Sequence, residues 1–192
     1  MFNLEKSKLY TDSIILIGPS GAGKSTVAEE LRKITYLPRL SLDRIANADR
    51  RNGVMRNFNS PDEYNLSLIQ KVLDAAVKEG APGIVDFGAG HSVYRSKEIF
   101  EKVKKLLSNF DNVVLLLPSE NIEESIDIMA KRSTGDYSTN REFILSPCNK
   151  ELATMTVYGN NRTPEEIAKD ILSRIKDRKT KNNDKKHEEE TK

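Results

Sequence analysis

The sequence predicts an α/β fold, a parallel sheet with helices over both faces. Three observations lead there. Short apolar runs alternate with longer amphipathic stretches from end to end. The runs are nearly continuous in Ile, Val and Leu, as in strands buried on both sides. The stretches between them are long enough for helical crossovers, which are right-handed where they join parallel strands. A chain of 192 residues suits one domain large enough for such a sheet.

Residues 1–12 are polar and without period, a lead-in to the first strand, Ser13-Ile14-Ile15-Leu16-Ile17. After a glycine-rich turn, Val27, Leu31 and Ile34 fall on one helical face. Leu37 to Leu42 reads as a second strand ending at Asp43, and residues 44–59 as a polar segment broken at Gly53. A long helix follows, with Ser60 as N-cap, Pro61 first, and Asp62 and Glu63 in its first turn. Leu66, Ile69, Leu73 and Ala76 mark its buried face, and Gly80 ends it. Gly83 to Phe87 is the third strand, closing in Gly88-Ala89-Gly90-His91. Ser92 is the candidate cap of the next helix, whose stripe is Ile99, Val103, Leu106, Leu107 and Phe110.

Asn112 to Leu117 is the fourth strand, and residues 120–131 read as a helix with Ile122, Ile126 and Met129 inward. Residues 132–147 are dominated by Ser, Thr, Gly, Asp and Asn and read as a mobile loop with room for a helical turn. Asn149 to Ala153 starts a short helix, and Met155 to Tyr158 is the last strand. Thr163 caps a final helix with Pro164 first and Glu166 completing a capping box. Ile167, Ile171 and Ile175 face the core. The folded domain is expected over residues 1–178, and the charged stretch 179–192 as a disordered tail.

The turn after the first strand carries the chemistry. Gly18-Pro19-Ser20-Gly21-Ala22-Gly23-Lys24-Ser25-Thr26 fits the phosphate-binding pattern G-x-x-x-x-G-K-[ST] in full, between a strand and a helix. Its glycines let backbone N–H groups close round an anion, and the helix start adds its dipole. Lys24 can reach the β- and γ-phosphates, and the Ser25 hydroxyl can ligate Mg²⁺. Thr26 either bonds an α-phosphate oxygen or caps the helix. Ligands of parallel sheets gather at the carboxyl ends of the strands. That rule brings Asp43 and the stretch Asp86 to His91 to the same edge.

Composition narrows the class. Lys and Arg number 31 against 29 Asp and Glu, a net charge of +2, which argues against a general nucleic-acid binder. No apolar run is of bilayer length, and the first residues lack the apolar core of a secretory signal. Cys148 is the single cysteine and reads as a packing residue. The expectation is a cytoplasmic protein without membrane contact.

The order of these features resembles the small P-loop kinases, the shikimate kinase and nucleoside monophosphate kinase group, over roughly residues 13 to 176. Asp43 stands where such kinases hold the acceptor hydroxyl. Gly88-Ala89-Gly90 stands where shikimate kinases carry a glycine run that contacts substrate. Arg132 ends a helix before a polar stretch, where the family places an arginine near adenine and phosphates and then a lid. Glu151-Leu152-Ala153 and Thr163 to Ile167 resemble the family's last strand, adenine-side turn and final helix. Three departures stand out: the family's Asp-x-Asp is Ser41-Leu42-Asp43 here, the glycine run is Gly-Ala-Gly preceded by Asp86, and the lid lacks the usual arginine spacing, with Arg141 in its stead. The resemblance implies a three-layer P-loop NTPase fold, a five-stranded sheet in the order 2-3-1-4-5, and a small lid. It implies ATP and Mg²⁺ as cofactors and transfer of the γ-phosphoryl group to a small-molecule hydroxyl or phosphate. The alternative is a nucleotide-binding accessory protein without kinase activity; a polynucleotide end kinase would use the arginines at 44–56 on a phosphate backbone.

The residue roles follow. Lys24, Asp43, Asp86 and Arg132 are the catalytic candidates. Asp86 either serves Mg²⁺, together with Ser25, or accepts the acceptor's proton. Asp43 orients the acceptor, or else caps a helix starting at Arg44. Nucleotide falls to Gly18, Ser20, Gly21, Ala22, Gly23, Lys24, Ser25 and Thr26, with Arg132 and Arg162. Arg44, Arg50, Arg51 and Arg56 either bind an anionic acceptor or form a solvated face, Arg56 being the residue chosen for substrate. Asp43, Gly88, Ala89, Gly90 and His91 complete the acceptor side, His91 as a hydrogen-bonding group.

Overall fold

The computed structural model describes residues 12–132 and 137–190. Five strands form one parallel sheet: β1 Ile14–Ile17, β2 Arg39–Ser41, β3 Ile84–Asp86, β4 Val113–Leu117 and β5 Met155–Tyr158. Their spatial order is β2-β3-β1-β4-β5, the order the resemblance implies. The helices are α1 Lys24–Thr35, α2 Leu42–Arg51, α3 Pro61–Glu79, α4 Lys97–Leu107, α5 Ile122–Arg132, α6 Tyr137–Leu145, α7 Pro147–Leu152 and α8 Pro164–Glu190. None of them is long and apolar enough to cross a membrane.

Strand alternation divides the core into two layers. Ile15, Ile17, Val85, Phe87, Val113 and Leu115 pack against α2, α3, α4 and α7. Ile14, Leu16, Ile84, Val114 and Val157 pack against α1, α5, α6 and α8. Two central strands, β1 and β4, are buried at every position, which is why their sequences are continuously apolar.

Helix starts follow local chemistry. Ser60 Oγ accepts from Glu63 N at 3.2 Å, and Gly80 closes α3 at φ 67°. Thr163 Oγ1 accepts from Glu166 N at 3.2 Å while Glu166 Oε2 accepts from Thr163 N at 2.7 Å, a complete capping box.

The structure differs from the sequence reading in four places. The polar segment 44–59 begins as helix, which starts at Leu42 rather than Arg44: Leu42 and Ala46 are buried four residues apart, with Ile45 packed beside them. The cap of α4 is Ser96, whose Oγ accepts from Ile99 N, whereas Ser92 lies buried in a 3-10 turn, Ala89–Ser92. Within the expected loop 132–147, residues 137–145 form α6, held by Asn149 Nδ2 donating to Phe143 O at 2.7 Å and by Ile144 in the core; residues 133–136 lie outside the described set. The backbone of α8 runs helically to Glu190, well past Arg178. Arg178 itself donates to Asp111 O and Thr154 O, and Lys179 pairs with Asp12, so the final helix docks on the amino ends of the strands. Residues 182–192 contain no apolar side chain to bury. Deleting them is expected to move the melting temperature by less than about 2 °C, read by thermal denaturation.

Candidate active site

The loop between β1 and α1 turns sharply as it leaves the sheet. Gly18 sits at φ 136°, and a Cβ there would lie 2.5 Å from Leu116 O on β4. Only glycine meets both the conformation and the approach. The loop then opens on a cavity of about 330 Å³ lined by Ser20, Gly21, Gly23, Lys24, Ser25, Thr26, Asp43 and Ala89. Ala22 is buried beneath it, in the core against α1.

Lys24 is almost fully buried, and its Nζ donates to Gly18 O and Pro19 O at 2.8 Å each. The ammonium thus rests on its own loop's carbonyls. Burial lowers its pKa to about 8, against the opposing pull of Asp86 and then Asp43. Its charge is complete well below pH 8 and lost as pH rises through that value. A bound anion favours the charged form. With chelator present, affinity for metal-free ADP is therefore expected to fall as pH rises through about 8, and binding there to take up protons. Calorimetry in buffers of different ionisation heat reads both effects.

Asp86 ends β3 beside Leu16 of β1 and Ser41 of β2. It is buried, and its Oδ2 accepts from Ser25 Oγ at 2.7 Å and from Arg39 Nη2 at 2.8 Å. Arg39 Nη1 lies 3.5 Å from Glu29 on α1. Arg39 was not among the candidates read from the sequence. Register places it two residues before Ser41 on the same face of β2, from where its long side chain reaches the strand end. The period-2 position was legible; the partner was not.

Asp43 falls in the first turn of α2, not at an N-cap; that position is Ser41. Its side chain is 63% exposed, and Oδ1 lies 3.8 Å from Nδ1 of buried His91. A Cβ on Gly88 would come within 1.8 Å of Asp43 Oδ1 and 2.6 Å of His91 Nδ1, so the missing side chain makes room for both. Beyond this junction lies a second cavity of about 650 Å³. Asp43, Asn47, Arg50, Asp62, Asn65, Gly90, His91, Arg95 and Glu142 supply its polar wall; Met55, Tyr64 and Phe143 are among its apolar ones. Asp43 is the side chain common to both cavities.

The remaining candidates disperse. Arg56 lies exposed in a 3-10 turn and does not line the second cavity, whose cations are Arg50 and Arg95. Arg44 lines a shallow hollow with Arg32 and Arg39, and Arg51 is exposed. Arg162 donates to Tyr158 O, Asp170 and Glu166 O, tying β5 to α8. Arg141 faces Glu123 at 3.4 Å. Arg132 is exposed at the end of α5, one turn beyond Met129, whose Cε borders Gly21. Cys148 is buried against Tyr94 O, as a packing residue.

Comparison with known proteins agrees with this fold. A shikimate kinase of Enterococcus faecalis is 26% identical over 182 residues, covering 86% of this chain and 99% of that protein. The solved shikimate kinase from Acinetobacter baumannii in complex with shikimate superposes with a TM-score of 0.62 at 19% identity, over 91% of this chain and 98% of that one. A gluconokinase from Sinorhizobium meliloti 1021 superposes with a TM-score of 0.56 at 16% identity, over 86% and 92%. The family described as AAA domain matches residues 14–140, more than half of the chain. The chain belongs to that family, and it is similar to the shikimate kinases among small P-loop kinases.

Proposed function

We propose that the protein transfers the γ-phosphoryl group of ATP to a hydroxyl of a small polar molecule. One observation carries the reading: Asp43 lines both the phosphate cradle and the larger cavity. A shared carboxylate at that junction can hold an acceptor oxygen on the line of transfer.

Each residue then has a task. The backbone N–H groups from Ser20 to Thr26 cradle the phosphates, and Lys24 leaves its loop carbonyls to follow the moving charge. Asp43 accepts the hydroxyl proton as the acceptor oxygen bonds to phosphorus. The bond from phosphorus to the bridging oxygen breaks, and its electron pair leaves on ADP. Asn47, Arg50 and Asn65 orient the acceptor. Arg132 borders the nucleotide from α5.

The donor set fits Mg²⁺. The Ser25 hydroxyl donates its hydrogen bond to Asp86 Oδ2, leaving oxygen lone pairs for a hard cation. No cluster of three or more metal-binding side chains occurs among the described residues, as suits an ion held mainly by phosphates and water. When bound, Mg²⁺ neutralises charge on the transferring phosphates. Arg39 keeps Asp86 aimed at Ser25.

The test is ATP turnover against a panel of hydroxylated metabolites, nucleosides and nucleotides, with a no-acceptor control. Turnover raised by one class supports the kinase; a rate indifferent to every acceptor supports the accessory ATPase instead. Within this reading, Gly88→Ala turns the exposed Asp43 carboxylate away and crowds His91. It is expected to lower kcat about 10²-fold while leaving Mg·ADP affinity, measured by calorimetry, unchanged.

A further inference from the structure

A general base must be held, and Asp43 has two side-chain torsions and is mostly exposed. The partner it meets is His91, itself buried and therefore fixed. His91 Nδ1 is buried without a hydrogen-bond partner and lies 3.8 Å from Asp43 Oδ1. An orphaned buried ring nitrogen is costly, and closing that gap by about 1 Å would satisfy it. The 3-10 turn holds the imidazole in place: His91 N donates to Gly88 O at 3.0 Å, and Tyr94 Oη donates to His91 O at 2.6 Å. Gly88 keeps the path between the two side chains clear.

We propose that His91 is a positioning residue, its Nδ1–H donating to Asp43 Oδ1 and so presenting Oδ2 to the acceptor hydroxyl. The role rests on the kinase reading above. Burial favours the neutral ring, which is the form that makes this bond without adding charge. Asp43 pulls the ring toward protonation, while Lys24 and Arg50 oppose it. Asp62, Arg95 and Glu142 face the same cavity. Protonation of His91 at low pH makes Asp43 a weaker base, so His91 contributes to the acid limb of the rate profile.

Two measurements test the assignment. The chain has two histidines, His91 and His187, so the imidazole signals can be followed by NMR and told apart with His187→Gln. Asp43→Asn removes an exposed carboxylate and is expected to leave the melting temperature unchanged. If the pair is coupled, the His91 midpoint moves to lower pH in Asp43→Asn; an unmoved midpoint overturns the assignment. In the panel assay, His91→Leu is expected to lower kcat about tenfold or more, with Mg·ADP affinity unchanged. His91→Asn, which keeps a donor near the Nδ1 position, should recover most of that loss. Equal losses in two variants that melt like the wild type would overturn the role. A wild type that phosphorylates nothing in the panel, with the midpoint still shifted, would instead overturn the kinase reading on which it rests.

Discussion

Lys24→Ala is expected to lower ATP turnover by about 10³-fold while the melting temperature holds or rises slightly. The ammonium is buried at a cost, shown by its lowered pKa, and its two hydrogen bonds go to carbonyls of its own loop. Removing it relieves that cost and opens those carbonyls to water in a solvent-facing cradle. What is lost is the positive charge that follows the γ-phosphoryl group, a loss on the scale of deleting an electrostatic donor to a transition state or beyond it. Calorimetry with Mg·ATP and a thermal melt of the same variant separate the two effects. Retained activity would remove the loop from the chemistry.

The second large effect separates the two carboxylates. Asp43→Asn keeps the shape of an exposed side chain and removes the proton acceptor. It is expected to lower kcat about 10²-fold, with Mg·ATP affinity and melting temperature unchanged. Asp86→Asn acts elsewhere. It removes the charge that faces Arg39 and weakens the hold on Ser25. Taking the charge from the nearer of the two carboxylates that face this mostly buried guanidinium costs about 2 kcal/mol, a clear drop in melting temperature. The Mg²⁺ concentration giving half-maximal turnover should rise as well. Titrating Mg²⁺ against turnover for both variants, beside their melts, reads each pattern. A raised metal requirement in Asp43→Asn and not in Asp86→Asn would exchange the roles.

Much of this arrangement was legible because its causes are local. β1, the loop and α1 are a strand, a turn and a helix whose residue types admit little else, and the cap residues of α3 and α8 announce those helices. Asp43, Asp86 and His91 could be placed at one edge because every parallel strand delivers its end there. What escaped depended on partners distant in sequence. Arg39 read as a strand residue, since nothing near it signals that Asp86, 47 residues on, takes its guanidinium. The helix 42–51 buries only Leu42 and Ala46, too thin a stripe to stand out among its charges. Arg50 rather than Arg56 lines the larger cavity because it sits on that helix, whose Asp43, Ala46 and Asn47 line the same wall. The polar composition of 137–145 concealed α6, which tertiary contacts through Ile144 and Phe143 O hold in place.

The most direct measurement follows the γ-phosphoryl group itself. Wild-type protein is given Mg²⁺ and ATP labelled at the γ-phosphate, with the acceptor panel, and the label is traced to its product. The account predicts that the label moves onto a hydroxyl of one acceptor class, matched one for one by ADP, and that Asp43→Asn slows this transfer about 10²-fold. Label released only as inorganic phosphate at a rate no acceptor changes, with Asp43→Asn equal to wild type, would contradict it.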